Sequence, residues 1–436
     1  MMECSWKIVI LLLCAYLGIQ YTAIMSLKPM FIRPCQGMGE DGHCQHRDLK
    51  DYKGAPMCEE PPFSQEFPQE QGRKHIIIFA MTRSGSSFMG QIFNQHPDVF
   101  YLFEPLYHVQ IALTKPNTRN KSQANKSFLL GAFRDLLRNL CDCDFYFLEN
   151  YIKPVPKDHD TPLFFRRGAS RALCSPPVCD VPQDLEEVEE NVCSKMCHSL
   201  NLTLASQACQ NCSHMAIKIV RVPEIKDLRT LVEDPRLNLK IVHLVRDPRG
   251  ILTSRIATFF THFRMWKIWN VTGQRPHNID LTQITTLCTD MLNSADTGLS
   301  KPSWLRGKYM LVRYEDLAKE PVKKAKEIYK FVGLNWNDRI SKWILQNTKV
   351  NITPSEYNKF STSRNSSAVA ESWRLNLSFD IVKTVQNVCN ATLSRLGYRS
   401  VHSVEELRNL SHSVVEPIEM SACYMTRHCK CLQNRV

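Results

Sequence analysis

At 436 residues and 43% hydrophobic composition, the chain can bury a sizeable core, and its length suits one elaborated catalytic domain rather than several small ones. Its net charge of +12 suits a polyanionic partner. That partner could be nucleic acid, an anionic membrane or a sulfated glycan; no nucleic-acid-binding motif accompanies the charge and the compartment signals below oppose one, so the glycan is the better fit.

At the N-terminus Lys7 precedes a run, Ile8 to Leu27, that is apolar for most of its length. It is just long enough to span a bilayer, which takes about 17 to 20 residues. The reading is a transmembrane signal-anchor at 8–27 behind a cytoplasmic tail at 1–7. A cleaved signal peptide competes, but no A-x-A-like site follows. Lys28 and Arg33 oppose Lys7, so orientation rests on downstream features. From 28 to 74 Pro, Gly, Gln and charged residues interrupt any periodicity, the composition of a flexible stem.

The catalytic domain, 75–415, opens on a buried-strand signal from Ile76 to Met81. Thr82, Arg83, Ser84, Gly85, Ser86, Ser87 and Phe88 follow. Here glycine permits tight curvature, and the hydroxyl residues suit the first turn of a helix reaching Asn94. Strand, small-residue turn and helix make a phosphate cradle: the helix's unpaired N–H groups and dipole favour an anion, and Arg83 can fork onto its oxygens. An ordinary strand-to-helix turn is the plain alternative. The segment lacks the G-x-x-x-x-G-K-S/T ending that serves the β/γ-phosphates and magnesium, so a metal-free anion site fits better than an ATPase.

Val99 to Phe103 reads as a second strand, ending at Glu104, where an α/β sheet tends to face its ligand. Glu104 is the first choice for a base that takes an acceptor proton, with a helix cap or an arginine partner as its structural alternative. His108, whose ordinary pKa lies nearer neutrality, is the rival. Asn125 to Leu140 has helical spacing and an apolar packing face. Cys141, Cys143, Cys174, Cys179, Cys193, Cys197, Cys209 and Cys212 then cluster as a disulfide framework rather than a zinc site, with pairings that spacing does not reveal. Together with N-x-S/T acceptors at Asn120, Asn125, Asn201, Asn211, Asn270, Asn351, Asn365, Asn376, Asn390 and Asn409, they favour a lumenal body. Arg166 and Arg167 read either as contacts for an anionic glycan or as solvated charges.

Met215 to Val220 is another buried strand, and a helix from Glu224 to Val232 leads to a strand from Leu237 to Val245. That strand runs directly into Arg246, Asp247, Pro248, Arg249, Gly250, Ile251, Leu252, Thr253 and Ser254. Pro248 suits a first helical position, and Arg246 and Ser254 can reach one phosphate beside that helix. Two anion-suited junctions in one chain point to a nucleotide with phosphates at both ends. Strand and helix alternate, so parallel β-α-β units follow. The aromatic, basic segment FFTHFRMWKIW reads as packing or as a surface for sugar rings. Leu281 to Leu292 is a helix candidate, Lys308 to Arg313 a strand, and Asp316 suits the cap of a helix through Phe331. Residues 416–436, with Cys423, Cys429 and Cys431, stand as a separate tail.

TRSGSSF resembles the 5′-phosphosulfate loop of the Golgi carbohydrate sulfotransferases, and RDPRGILTS resembles their 3′-phosphate motif. ECSWK, FNQHPDVFYLFEPLYHVQ, FRRGASRALCSPPVCD, VEDPRLNLK and GKYMLVRYEDLA extend the similarity toward the keratan sulfate galactose 6-O-sulfotransferases. The resemblance implies an α/β, P-loop-like sulfotransferase fold, with a central parallel sheet flanked by helices after an N-terminal transmembrane helix. It also implies a single-pass type II protein of the Golgi membrane that moves sulfate, without a metal, from 3′-phosphoadenylyl sulfate (PAPS) to a glycan hydroxyl. On the matched motifs, Arg83 and the Thr82–Phe88 loop hold the 5′-phosphosulfate with Arg83 also catalytic. The Arg246–Ser254 run holds the 3′-phosphate, Glu104 is the base, and Trp373 and Arg374 close over the nucleotide. Galactose C6 of keratan-type chains is the acceptor implied. N-acetylglucosamine or N-acetylgalactosamine is the nearest alternative, a non-catalytic lumenal glycan-binding protein a weaker one, and a P-loop kinase weaker still. Oligomeric state stays open, a homodimer included.

Overall fold

In the computed structural model, residues 72–114, 123–180, 190–349 and 365–418 are described. The strands are β1 (Lys74–Ala80), β2 (Val99–Phe103), β3 (Asp160–Thr161), β4 (Leu200–Asn201), β5 (His214–Ile219), β6 (Asn238–Val245) and β7 (Tyr309–Arg313). Five of them form one parallel sheet in the order β2, β5, β1, β6, β7, while β3 and β4 make a short antiparallel pair. Helices cover both faces of the sheet, which is why β1 from Ile76 on and all of β2 are apolar runs: a parallel strand buried on both sides has no solvent-facing positions to mark with polar residues. From β1 the chain first builds outward to β2, and later to β6 on β1's other side. The carboxyl end of β1 is therefore a switch point, the place where such sheets take ligands.

Three apolar clusters hold this frame. On one face Leu136, Leu137 and Leu140 of the helix Gln123–Cys141 pack with Ile217 and Ile241. On the other, Phe88, Met89 and Ile92 meet Ile328, Val332 and Trp343. Beyond the sheet edge Ile251, Trp266, Trp269, Met291, Trp373 and Val385 form a third. The aromatic segment FFTHFRMWKIW thus contributes Trp266 and Trp269 to the core, as the helix Arg264–Thr272.

Among the described residues four disulfides pair Cys143 with Cys209, Cys174 with Cys193, Cys179 with Cys197 and Cys288 with Cys389. Among the described residues Cys141 and Cys212 carry free thiols, so Cys209 is bridged and Cys212, three residues on, is not.

Two expectations change. The single helix expected from Asp316 to Phe331 is two helices, Tyr314–Lys319 and Pro321–Val332, because Pro321 offers no N–H to the preceding turn. Asp316 sits inside the first of them and pairs with Arg313 at 2.9 Å. Arg374 and Trp373 do not stand open to a nucleotide. Arg374 is fully buried and donates to the carbonyls of Glu406, Leu407, Asn409 and His412, holding the C-terminal segment, while Trp373 lies 4.2 Å from the Arg249 guanidinium in the core. The 8–27 segment, the stem through residue 71 and the tail cysteines lie outside the described residues, in which no helix is long and apolar enough to cross a membrane.

Candidate active site

The loop after β1 is shaped by two left-handed residues, Arg83 at φ 75° and Gly85 at φ 92°. Gly85 is required on two counts. A side chain strains that φ, and a Cβ there would stand 2.3 Å from Cδ2 of Tyr314. The helix Ser86–Asn94 follows with no side-chain cap at its N-terminus, leaving that end to an anion. Ser84 is fully buried, and its Oγ has no hydrogen-bond partner among the described residues. Phe88 faces the other way, stacked on Trp343.

The loop after β6 divides between scaffold and open groups. Asp247 caps the helix Pro248–Thr258 through the N–H of Arg249 and pairs with the Arg249 guanidinium at 2.7 Å, with side chains only 2% and 0% exposed. Arg249 also donates to Gln386 Oε1 and the Arg399 carbonyl, and Ile251 and Leu252 are core. Asp247, Pro248, Arg249, Ile251 and Leu252 therefore build the loop from behind, whereas Arg246 and Ser254 meet the first loop. Arg246 donates to the Arg83 carbonyl at 3.1 Å and lies over the Tyr314 ring at 4.5 Å; its Nε is buried and has no hydrogen-bond partner among the described residues. Arg83 Nε donates to Ser254 Oγ at 2.9 Å, and Arg255 Nε to the Thr82 carbonyl at 3.3 Å. Gly250 brings its backbone beside Arg246, where a Cβ would lie 3.1 Å from Nε. Thr253 spends its hydroxyl on the Arg249 carbonyl.

Behind this loop Glu315 is buried, accepting from the Asp247 N–H at 3.0 Å and the Tyr398 hydroxyl at 2.8 Å. Burial, with Asp247 beside it, pushes its pKa up to about 7. The folded carboxyl thus keeps its proton where the unfolded one, near pKa 4.3, has lost it. Its stabilising contribution is full below about pH 4.3 and disappears as pH rises through about 7. In Glu315→Gln that slope should vanish. Denaturant titrations between pH 4.5 and 7.5 check it, and an unchanged slope would contradict the assignment.

Glu104 ends β2 at φ 49°, a conformation few side chains adopt, with its N–H donating to the Lys218 carbonyl on β5. Its carboxylate takes Lys218 Nζ on one oxygen and Arg221 Nη1 on the other, each at 2.5 Å. Burial raises its pKa, but the two cations outweigh burial and hold it below the usual carboxylate range. Lys218 is 1% exposed, and burial pushes its pKa down to about 8 against the pull of Glu104. Its Nζ also lies 3.4 Å from Ser87 Oγ, so one cation links the phosphate loop to Glu104. Nothing in the MAIKIV pattern flagged Lys218 as functional. The available signal was a lysine inside a strand otherwise reading as fully buried, a position that demands a partner. The Nε2 of His108 already accepts from the Phe165 N–H, so that nitrogen is not open to an acceptor hydroxyl, and burial, with Arg221, pushes the ring's pKa down to about 4.

Residues 73–397, which contain both loops, Glu104 and Lys218, match the model of the Sulfotransferase domain family. The chain belongs to the sulfotransferase family. Carbohydrate sulfotransferase 1 of Mus musculus is 54% identical over 417 residues, covering 95% of this sulfotransferase and 98% of that protein. Carbohydrate sulfotransferase 3 of Mus musculus is 41% identical over 367 residues, covering 83% and 76%. Among solved structures, the sulfotransferase domain from the Synechococcus PCC 7002 olefin synthase aligns over 73% of this chain and 96% of its own, at 17% identity and a TM-score of 0.35.

A sulfotransferase of this group acts on carbohydrate and takes sulfate from PAPS, which supplies the sulfuryl group on a nucleotide phosphorylated at both ends. The two loops fit such a molecule. Among the described residues Ser84 Oγ and Arg246 Nε are buried without hydrogen-bond partners, and the helix end at Gly85 has no side-chain cap. Among the described residues the grouping of metal-ligand type, Cys174, Cys193 and Cys197, is consumed by disulfides.

Proposed function

We propose that this sulfotransferase transfers sulfate to the C6 hydroxyl of galactose in keratan-type chains. The observation that carries the mechanism is the position of Glu104, ionised between Lys218 and Arg221, with Lys218 also reaching Ser87 of the phosphate loop. Arg83 and the Thr82–Ser87 groups hold the 5′ end of the donor, and Arg246 and Ser254 hold the 3′ end. Glu104 takes the proton of the sugar hydroxyl as that oxygen bonds to sulfur. Arg83, Lys218 and the loop N–H groups stabilise the charge left on the departing phosphate, a task fixed donors perform without reorganisation.

Galactose is supported by the resemblance of FNQHPDVFYLFEPLYHVQ and GKYMLVRYEDLA to the keratan sulfate galactose 6-O-sulfotransferases. Residues 1–7, 8–27 and 28–74 act as cytoplasmic tail, signal-anchor and stem, and place a catalytic domain at 75–415 in the Golgi lumen. The four disulfides support an oxidising compartment for that domain. The test is transfer of labelled sulfate from PAPS by the full chain to desulfated keratan, chondroitin and N-acetylglucosamine-terminated acceptors. Label on galactose C6 supports the proposal, label on another sugar replaces the acceptor alone, and no transfer by protein that binds the donor removes the catalytic reading.

A further inference from the structure

Resting on that reading, we propose that Arg166 is an oxyanion subsite for the acceptor, and that Glu190 occupies it until an acidic saccharide displaces it. The ligand class is a sugar bearing a sulfate ester or a carboxylate beside the sugar being sulfated.

Arg166 and Arg167 are equivalent in the sequence, and the fold separates them. Arg167 is scaffold: its guanidinium donates to the carbonyls of Leu173 at 2.9 Å, Val178 at 3.2 Å and His198 at 2.6 Å. Arg166 turns to the site instead. Its guanidinium lies 4.5 Å from the centre of the Phe103 ring, the same ring that carries Lys218 Nζ at 3.6 Å, and Phe103 immediately precedes Glu104. Arg166 also holds a left-handed φ of 50°, which a non-glycine residue adopts only where its surroundings impose it.

Three cations, Arg166, Lys218 and Arg221, thus gather near Glu104, and Glu104 engages the last two. Glu190 meets the Arg166 fork with both carboxylate oxygens, one on Nε at 2.8 Å and the other on Nη2. A sulfate ester or a sugar carboxylate presents the same two-oxygen edge. Glu190 begins the helix Glu190–Met196, whose Cys193 is bonded to Cys174, and the disulfide Cys179–Cys197 follows just past its end. That helix sits against the turn Arg167–Ala169 so closely that a Cβ on Gly168 would stand 2.7 Å from Glu190 Cγ. The acidic plug is therefore presented by a built element. It remains exchangeable on its own side, because the Glu190 side chain is 41% exposed where that of Arg166 is 18%. The Tyr107 and Phe165 rings stack with their centres 4.0 Å apart, the Arg221 guanidinium lies 5.2 Å from the centre of the Tyr107 ring, and the pair offers a flat wall beside the subsite.

The test compares kcat/KM of the full chain on three acceptors with the same reacting sugar: a neutral one, one with a neighbouring sulfate ester and one with a neighbouring uronate. The two acidic acceptors tell which oxyanion source is preferred. Glu190→Gln is expected to lower KM for the acidic acceptors by about two- to fivefold with the neutral one unchanged, and Arg166→Gln to erase the preference, with Arg166→Lys retaining part of it. Equal factors on neutral and acidic acceptors in Glu190→Gln would overturn the proposal. If Arg166→Gln does not fold, Glu190→Gln decides alone. If no acceptor is turned over, the catalytic reading fails separately. Binding of the sulfated and neutral saccharides, followed by tryptophan fluorescence, then decides, and no selective gain in Glu190→Gln overturns the subsite.

Discussion

Glu104→Gln is expected to lower kcat by about 10²- to 10⁴-fold, the usual contribution of a positioned general base, while leaving donor affinity in place. The cations around Glu104 shape how it works. Because Lys218 and Arg221 hold its carboxyl below the usual range, it stays ionised well into acid, and kcat should show no acid limb between about pH 5 and 7. A weak base takes little of the proton until the sugar oxygen is well bonded to sulfur, which suits a carboxylate acting late. The alkaline side belongs to Lys218, whose pKa of about 8 means that it loses its charge, and with it the ion pair with Glu104, as pH rises past that value. In Lys218→Arg the limb should move to higher pH, since a guanidinium keeps its proton. A limb that stays near pH 8 in that variant would show that another group titrates. The glutamine amide carbonyl of Glu104→Gln can still accept from Lys218, so the loss of stability should stay below the ~3–5 kcal/mol of leaving a buried charge without a partner. Thermal melts separate that loss from the loss in kcat.

Gly85→Ala is expected to abolish donor binding at concentrations that saturate the wild type. The left-handed backbone alone costs a non-glycine residue about 1–2 kcal/mol. The larger effect is steric: with its Cβ 2.3 Å from Cδ2 of Tyr314, the alanine must displace a ring that also lies under Arg246. One methyl group thereby disturbs both ends of the nucleotide site. Isothermal titration with the product nucleotide measures the loss. Tyr314→Leu combined with Gly85→Ala should recover part of the binding if the clash dominates, and none if the backbone does.

The sheet and both loops were legible because parallel strands buried on both faces write themselves as short apolar runs, and each run here ends in its loop. Val99–Phe103 was read to the residue for that reason. What stayed hidden depends on contacts across the fold. Lys218 looked like a strand residue until Glu104 and Ser87 came beside it. Arg249 looked like Arg246 until Asp247, Gln386 and Trp373 enclosed it. Arg374 seemed open to a nucleotide because its carbonyl partners lie more than thirty residues downstream. The cysteine spacings allowed many pairings, and only the packing of their helices selected four.

The bond from Arg83 to Ser254 joins the two loops before any ligand arrives. If the donor draws the Arg83 Nε onto its 5′ end, the bond to Ser254 breaks, and the released hydroxyl is satisfied only if a 3′-phosphate stands there to receive it. On the proposed roles of these residues the two ends of the nucleotide are thermodynamically coupled: an analogue without the 3′-phosphate loses that group's own contacts and, in addition, leaves Ser254 stranded. Discrimination between PAPS and its 3′-dephospho form should accordingly exceed the sum of effects measured by removing Arg246 and Ser254 one at a time.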